Sequence, residues 1–126
     1  MGKAQGAASG TPVTLYGIPN CDQVKKARSW LAAHQVEHAF HDFKKLGLDA
    51  TLAERWIATA GSERVNNRKG TTWRALDDAS KALADKASGA IALVCTHPSL
   101  VKRPVLDCAG TLSVGFDPDH YATLFP

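Results

Sequence analysis

Val13-Thr14-Leu15-Tyr16-Gly17 is a short run rich in β-branched and aromatic side chains, and that composition predicts a buried strand. After Cys21 the apolar positions Val24, Ala27 and Leu31 recur three and four residues apart, with Lys25, Lys26 and Arg28 on the other faces. This spacing predicts an amphipathic helix that ends near His34. Val36 to Phe43 offers Val36, Phe40 and Phe43 as core contacts and is expected to form a second strand. A strand, a helix and a strand within about 30 residues make a βαβ unit, whose right-handed crossover leaves the two strands parallel.

A helical block comes next. Asp49 or Thr51 can cap a helix running through Ala60, with Glu54 completing a Thr-x-x-Glu box and Gly61 ending it. Ser62 to Arg74 is polar and strongly basic. Leu76, Ala79 and Leu83 predict a further helix that stops before Ser88-Gly89. The apolar run Ala90 to Cys95 fits a strand or a buried helix by pattern alone, and Ser88 as a cap with Pro98 as a stop favours the helix. Val105 to Asp107 and Leu112 to Phe116 flank Cys108-Ala109-Gly110-Thr111, a turn with glycine where a hairpin needs one. A short helix from about Pro118 to Leu124 closes the chain. The expected class is α/β: a thioredoxin-like mixed sheet, βαβ then ββα, with an inserted helical subdomain at about 49–97. One domain is expected over 12–126, after a flexible tail at 1–11.

Length and composition narrow the setting. A chain of 126 residues buries a single core without metal or disulfide staples. Cys21, Cys95 and Cys108 are widely spread and form no Cys-x-x-Cys pair, so they do not read as a secreted disulfide framework. A reducing, cytoplasmic location is the expectation. The first ten residues lack the apolar core of a signal peptide and have Gly6 where a myristoylation motif needs Ser or Thr. No apolar stretch approaches the roughly 18 residues that a membrane span needs. A net charge of +3 permits an anionic partner without requiring a nucleic acid.

Cys21 carries the most chemistry. It stands between the first strand and the first helix, where unpartnered N–H groups and the positive end of the helix dipole favour a thiolate. Lys25, one turn on, is placed to lean over the sulfur, whereas Asp22 beside it opposes ionisation. Position alone leaves open a buried, inert cysteine. Cys95 on its apolar run is expected in the core. Cys108 in a hairpin turn is expected to be exposed and open to incidental oxidation. His34, His38 and His41 have no accompanying metal-site spacing, and no metal site is expected. The three tryptophans have no base-stacking arrangement and are assigned to core or rim packing.

Three blocks stand out in order: Tyr16-Gly17-Ile18-Pro19-Asn20-Cys21-Asp22 with Lys26-Ala27-Arg28, then Asn67-Arg68-Lys69-Gly70-Thr71-Thr72-Trp73-Arg74, then His97 through Val105. On these blocks the chain resembles the arsenate reductase and Spx-type branch of thioredoxin-fold proteins. The Gly-Thr-Thr-Trp-Arg block and Val114-Gly115-Phe116 are most similar to a bacterial subgroup described as glutathione-dependent thiol reductases. The resemblance implies that Cys21 is the nucleophile, that Arg103 neutralises anionic groups beside it, and that Pro104 is a cis-proline facing the thiol. Arg68, Lys69 and Arg74 form a basic loop that suits the carboxylates of glutathione or is simply a solvated charge run. Asn20, Lys25 and Asn67 complete the candidate substrate contacts. Arsenate-reducing relatives add two further arginines, but Asn67 and Gly115 stand at the corresponding positions. The redox-sensing regulators carry a second cysteine three residues after the first, where this chain has Val24.

The expected activity is a glutathione-dependent thiol–disulfide oxidoreductase with a single nucleophilic cysteine. It would work as a monomer with no bound cofactor, with glutathione as co-substrate and a small-molecule or protein disulfide as partner. The alternatives are glutathione-linked arsenate reduction, and a non-catalytic Spx-type module whose partner is RNA polymerase.

Overall fold

The computed structural model describes residues 12–125, and the chain divides into two compact units. One contains the chain up to Asp42 together with Arg103 onward, and the other is Phe43–Lys102. The segment 1–11, expected to be a tail, lies outside the described residues.

The first unit is built on β1 (Val13–Gly17), α1 (Asp22–Ala33), β2 (Ala39–Asp42), β3 (Val105–Cys108), β4 (Thr111–Val114) and a final helix, Pro118–Leu124. Its four-stranded sheet has the order β2-β1-β3-β4. β1 and β2 pair in parallel with Leu15 opposite Phe40, as the βαβ reading requires, and β1, β3 and β4 are antiparallel neighbours. This mixed βαβ–ββα sheet is thioredoxin-like. Val13 and Leu15 share one face of β1, and they cluster with Ala27 and Leu31 of α1, Val36, Leu106 and Tyr121. Each such aliphatic side chain contributes roughly 1.5–3 kcal/mol when fully buried.

Local chemistry explains the ends of these elements. After α1, Gln35 adopts φ 59, Val36 N–H donates to the Leu31 carbonyl at 2.9 Å and Gln35 N–H to that of Ala32 at 3.1 Å. This is a Schellman stop in which Leu31 and Val36 also meet in the core. The expected strand from Val36 therefore begins later, at Ala39, and it ends at Asp42 because Phe43 opens a helical turn. The β3–β4 hairpin turns on Ala109 (φ 53) and Gly110 (φ 95), whose paired positive φ values match the twist of the strands, and Asp107 Oδ1 accepts the Gly110 N–H at 2.8 Å. The strand expected to reach Phe116 stops at Val114, since Gly115 turns to φ 85.

The second unit is helical: α2 (Phe43–Leu46), α3 (Ala50–Ala60), α4 (Ser62–Val65), α5 (Thr71–Ala75), α6 (Asp78–Leu83) and α7 (Ala87–Thr96), followed by a 3-10 turn over Pro98–Leu100. In chain order the final helix, Pro118–Leu124, is α8. α3 packs against α7, and Ala53, Trp56, Ile57, Ala90, Leu93 and Val94 are buried. Asp49 caps α3 by accepting the Thr51 N–H at 2.7 Å, so Thr51 does not head a capping box. The basic stretch Ser62 to Arg74 is not a continuous loop, because α4 and α5 each close a turn within it. The next helix starts at Asp78, with Asp77 as cap, and leaves Leu76 outside. Ala90 to Cys95 is helical as expected, but α7 begins before Ser88, with Lys86 at its cap position. Among the described residues no helix is long and apolar enough to cross a membrane.

Ser88-Gly89 reads as a helix breaker, yet Gly89 lies inside α7. A Cβ there would drive into the Leu83 carbonyl oxygen, with the Leu83 carbonyl carbon at 2.7 Å. Backbone cannot give way as a side-chain tip can. Alanine is ordinarily the better helix former by about 1 kcal/mol. Gly89→Ala is nevertheless expected to lower stability by about 1–3 kcal/mol, the usual cost of overpacking, which urea unfolding measures against wild type.

Candidate functional site

β1 ends at Gly17, and Ile18-Pro19-Asn20 carries the chain to Cys21 at the N-cap of α1. Cys21 has extended φ/ψ of −138° and 126°, so its side chain faces back toward the first helical turn. β3 runs antiparallel to β1 with Val105 opposite Tyr16. The residues just before β3 therefore arrive at the end of β1 from which Cys21 departs. Those residues are Arg103 and Pro104, joined by a cis peptide.

The sulfur is partly buried. Burial by itself pushes the thiol up, but the Val24 N–H, a hydrogen bond from Arg103, the Gln23 N–H and the Arg103 charge together hold it below its ordinary value. Cys21 makes no tight cap bond of the kind that an oxygen makes. The larger sulfur is instead met by looser N–H contacts at the second and third helical positions, where cap acceptors find their donors. The other cysteines are opposite in sign. Burial and the Asp49 charge raise Cys95, while burial and the Asp107 charge raise Cys108.

Both of these cysteines depart from expectation. Cys95 is only partly buried, because it sits at the margin of the α7 face that buries Leu93 and Val94. Cys108 is not in the turn. It is the last residue of β3, paired opposite Val13 and partly buried against the core of its unit.

In the first unit, then, Cys21, Arg103 and Pro104 come together, with exposed Asn20 just before the cysteine. Lys25 is exposed, as is Asp22. In the second unit, Asn67 shapes the basic segment from within. Its N–H donates to the Leu100 carbonyl at 2.7 Å, its Oδ1 accepts the Lys69 N–H at 3.2 Å, and its carbonyl accepts the Gly70 N–H at 3.2 Å. Arg68 holds its guanidinium over the Trp73 ring, 5.0 Å from the centroid, while Lys69 and Arg74 are exposed. Trp56 is buried and Trp30 packs edge-on against Tyr121, so all three tryptophans serve packing. Among the described residues no group of three or more His, Cys, Asp or Glu is placed to hold a metal ion.

Three features of the two units, each taken by itself, escape a reading by side-chain type. The donors from Gln23 and Val24 are backbone groups, legible only from the N-cap position of Cys21. Asn66 looks like a loop residue but is 2% exposed, bridged to Val101, with both carboxamide atoms lacking a hydrogen-bond partner among the described residues. Gly115 takes φ 85, a conformation that side chains disfavour, and donates its N–H to the Pro104 carbonyl at 2.8 Å.

A hydrogen bond to a charged group is worth about 1.5–3 kcal/mol. Arg103→Ala is therefore expected to raise the Cys21 pKa by roughly one to two pH units. The sign follows because the Arg103 hydrogen bond and charge both favour the thiolate over the thiol. Alkylation of Cys21 by iodoacetamide near pH 7 should slow about tenfold or more, with its pH profile moving alkaline. Cys95 and Cys108 should keep their slow rates.

Known proteins resemble this chain over most of its length. The model of the ArsC family matches residues 16–124. The solved structure of the YFFB (PA3664) protein is 48% identical, with a TM-score of 0.86 over 90% of this chain and 99% of that one. An arsenate reductase (ArsC) related protein from Brucella melitensis is 47% identical, with a TM-score of 0.72 over 91% of this chain and 95% of that one. The global transcriptional regulator Spx of Streptococcus pyogenes serotype M6 is 29% identical over 86% of this chain and 81% of its own. With the family pattern running from β1 through α8 and with Cys21 and Arg103 joined at one end of the sheet, the chain belongs to the ArsC family.

Proposed function

We propose that the protein is a glutathione-dependent thiol–disulfide oxidoreductase in which Cys21 is the nucleophile. One observation carries this reading: N–H groups of the first helical turn and Arg103 draw the Cys21 sulfur toward the thiolate against the opposition of burial. A thiolate is the attacking species in thiol–disulfide exchange. Cys21 attacks the glutathione sulfur of a mixed disulfide, forming a Cys21–glutathione bond as the substrate sulfur leaves with the electron pair and takes a proton from water. A glutathione thiolate then attacks that bond, giving glutathione disulfide and free Cys21.

Resolution from outside follows from the placement of the cysteines. Position 24 holds valine, so no Cys-x-x-Cys switch exists. Cys108 pairs with Val13 at the far end of β1, four residues or about 13 Å of strand from Gly17. Such chemistry needs no bound cofactor, suits a reducing cytoplasm and can be carried by a monomer. Exposed Asn20 and Lys25 lie on the Cys21 segment and offer polar and cationic groups to glutathione; within the second unit, Arg68, Lys69 and Arg74 are exposed cations.

Arsenate is the poorer substrate. It bears one to two negative charges at neutral pH, and its hydration is best replaced by bidentate arginines. Asn67 uses its side chain to brace its own loop, and Gly115 offers no side chain. The similarity to Spx supports a second reading, a non-catalytic module that contacts RNA polymerase.

Reduction of a glutathionyl mixed disulfide is expected to proceed with wild type and to fall at least a hundredfold with Cys21→Ser, with arsenate turnover weak or absent. Coupled assays of glutathione disulfide formation measure both. Robust Cys21-dependent arsenate turnover would make arsenate the substrate, whereas turnover of neither compound would favour the binding module.

A further inference from the structure

Gly17 is the last residue of β1 and is buried. It is not among the glycines with positive φ, so its backbone conformation does not demand glycine. Space does. A Cβ built there would lie 2.7 Å from Val24 Cγ2 and 3.3 Å from Cγ1, but 3.6 Å from Val24 Cβ. The first is closer than side chains tolerate and the last is ordinary contact. Val24 is fully buried and cannot swing aside into solvent. Its own N–H, at the third position of α1, is a donor to the Cys21 sulfur.

We propose that Gly17 is a positioning residue: by lacking a side chain it lets the first turn of α1 close onto the end of β1, and this closure holds the Val24 N–H against the Cys21 sulfur. The proposal rests on the thiolate reading of Cys21 and names what sets it. A side chain at position 17 must push Val24 away, and Val24 moves with its amide. Gln23 N–H is carried by the same turn, so both backbone donors to the sulfur shift together. Arg103 reaches the sulfur from the segment before β3 and is not displaced by that push. The effect is therefore a partial loss of thiolate stabilisation.

The test uses the full chain and follows alkylation of Cys21 by iodoacetamide against pH, with mass spectrometry assigning the rate to that cysteine. Gly17→Ala is expected to move the midpoint alkaline by about one pH unit, roughly a tenfold loss of thiolate below the midpoint. The double variant Gly17→Ala/Val24→Ala removes both crowding methyls and leaves the 3.6 Å contact, so its midpoint should return to wild type. Urea unfolding, measured alongside, should not show that rescue, because shortening Val24 empties part of the core. A wild-type midpoint at or above the free-cysteine range would sink the thiolate reading itself. With a depressed wild-type midpoint, an unchanged midpoint in Gly17→Ala overturns the positioning role. A midpoint that stays alkaline in the double variant overturns it too. If Gly17→Ala does not fold, the double variant decides: a wild-type midpoint upholds the positioning role and an alkaline one overturns it, with Val24→Ala alone measured as the control for the emptied core.

Discussion

A sulfur taken partly out of water has its thiolate favoured only by donors that are already in place. Burial acts against the Cys21 thiolate more strongly than any single favourable contact acts for it. Several charge-assisted contacts of about 1.5–3 kcal/mol each must therefore converge on one atom. Two are N–H groups that a helix start leaves without partners, and the third is a guanidinium from a segment more than eighty residues away in the chain. The parallel β1–β2 pair, the α1 crossover and the antiparallel arrival of β3 are what bring these three sources to one end of one sheet.

The same packing separates the cysteine whose thiol is drawn down from the two whose thiols are pushed up. Cys21 leaves the sheet at the Gly17 end of β1, while Cys108 lies at the Val13 end, paired into the ladder and packed on the core. Cys95 belongs to the helical unit, where burial and Asp49 hold its thiol protonated. Three thiols of identical intrinsic chemistry thus have two different characters. One meets a positive helix end, and the others meet apolar surroundings and a carboxylate.

Much of the fold was legible along the chain. The β1 and α8 boundaries follow their composition and their Asp or Pro punctuation, and the Ala109-Gly110 turn announces the hairpin. The errors have physical causes. Gln35 supplied a helix stop in a positive-φ conformation that glycine more often occupies, and so displaced β2. Ser88-Gly89 resembled punctuation, but the glycine is there because the Leu83 backbone occupies the space of its Cβ. Asn66 is polar by type and buried by position, where its backbone bridges Val101.

The amino-acid order by itself determined that Cys21 follows a strand and opens a helix, that no partner thiol stands three residues on, and that Arg103 and Pro104 directly precede a strand. Those are local facts, fixed by periodicity, residue type and spacing. Tertiary structure decided which atoms act on the sulfur. Arg103 acts because β3 pairs antiparallel to β1, Val24 acts through its amide because α1 closes onto Gly17, and Lys25 at helical spacing is left exposed. Hydrogen bonds to an ion depend on ångström-scale placement by packing between distant segments, and sequence spacing holds that information only for neighbours.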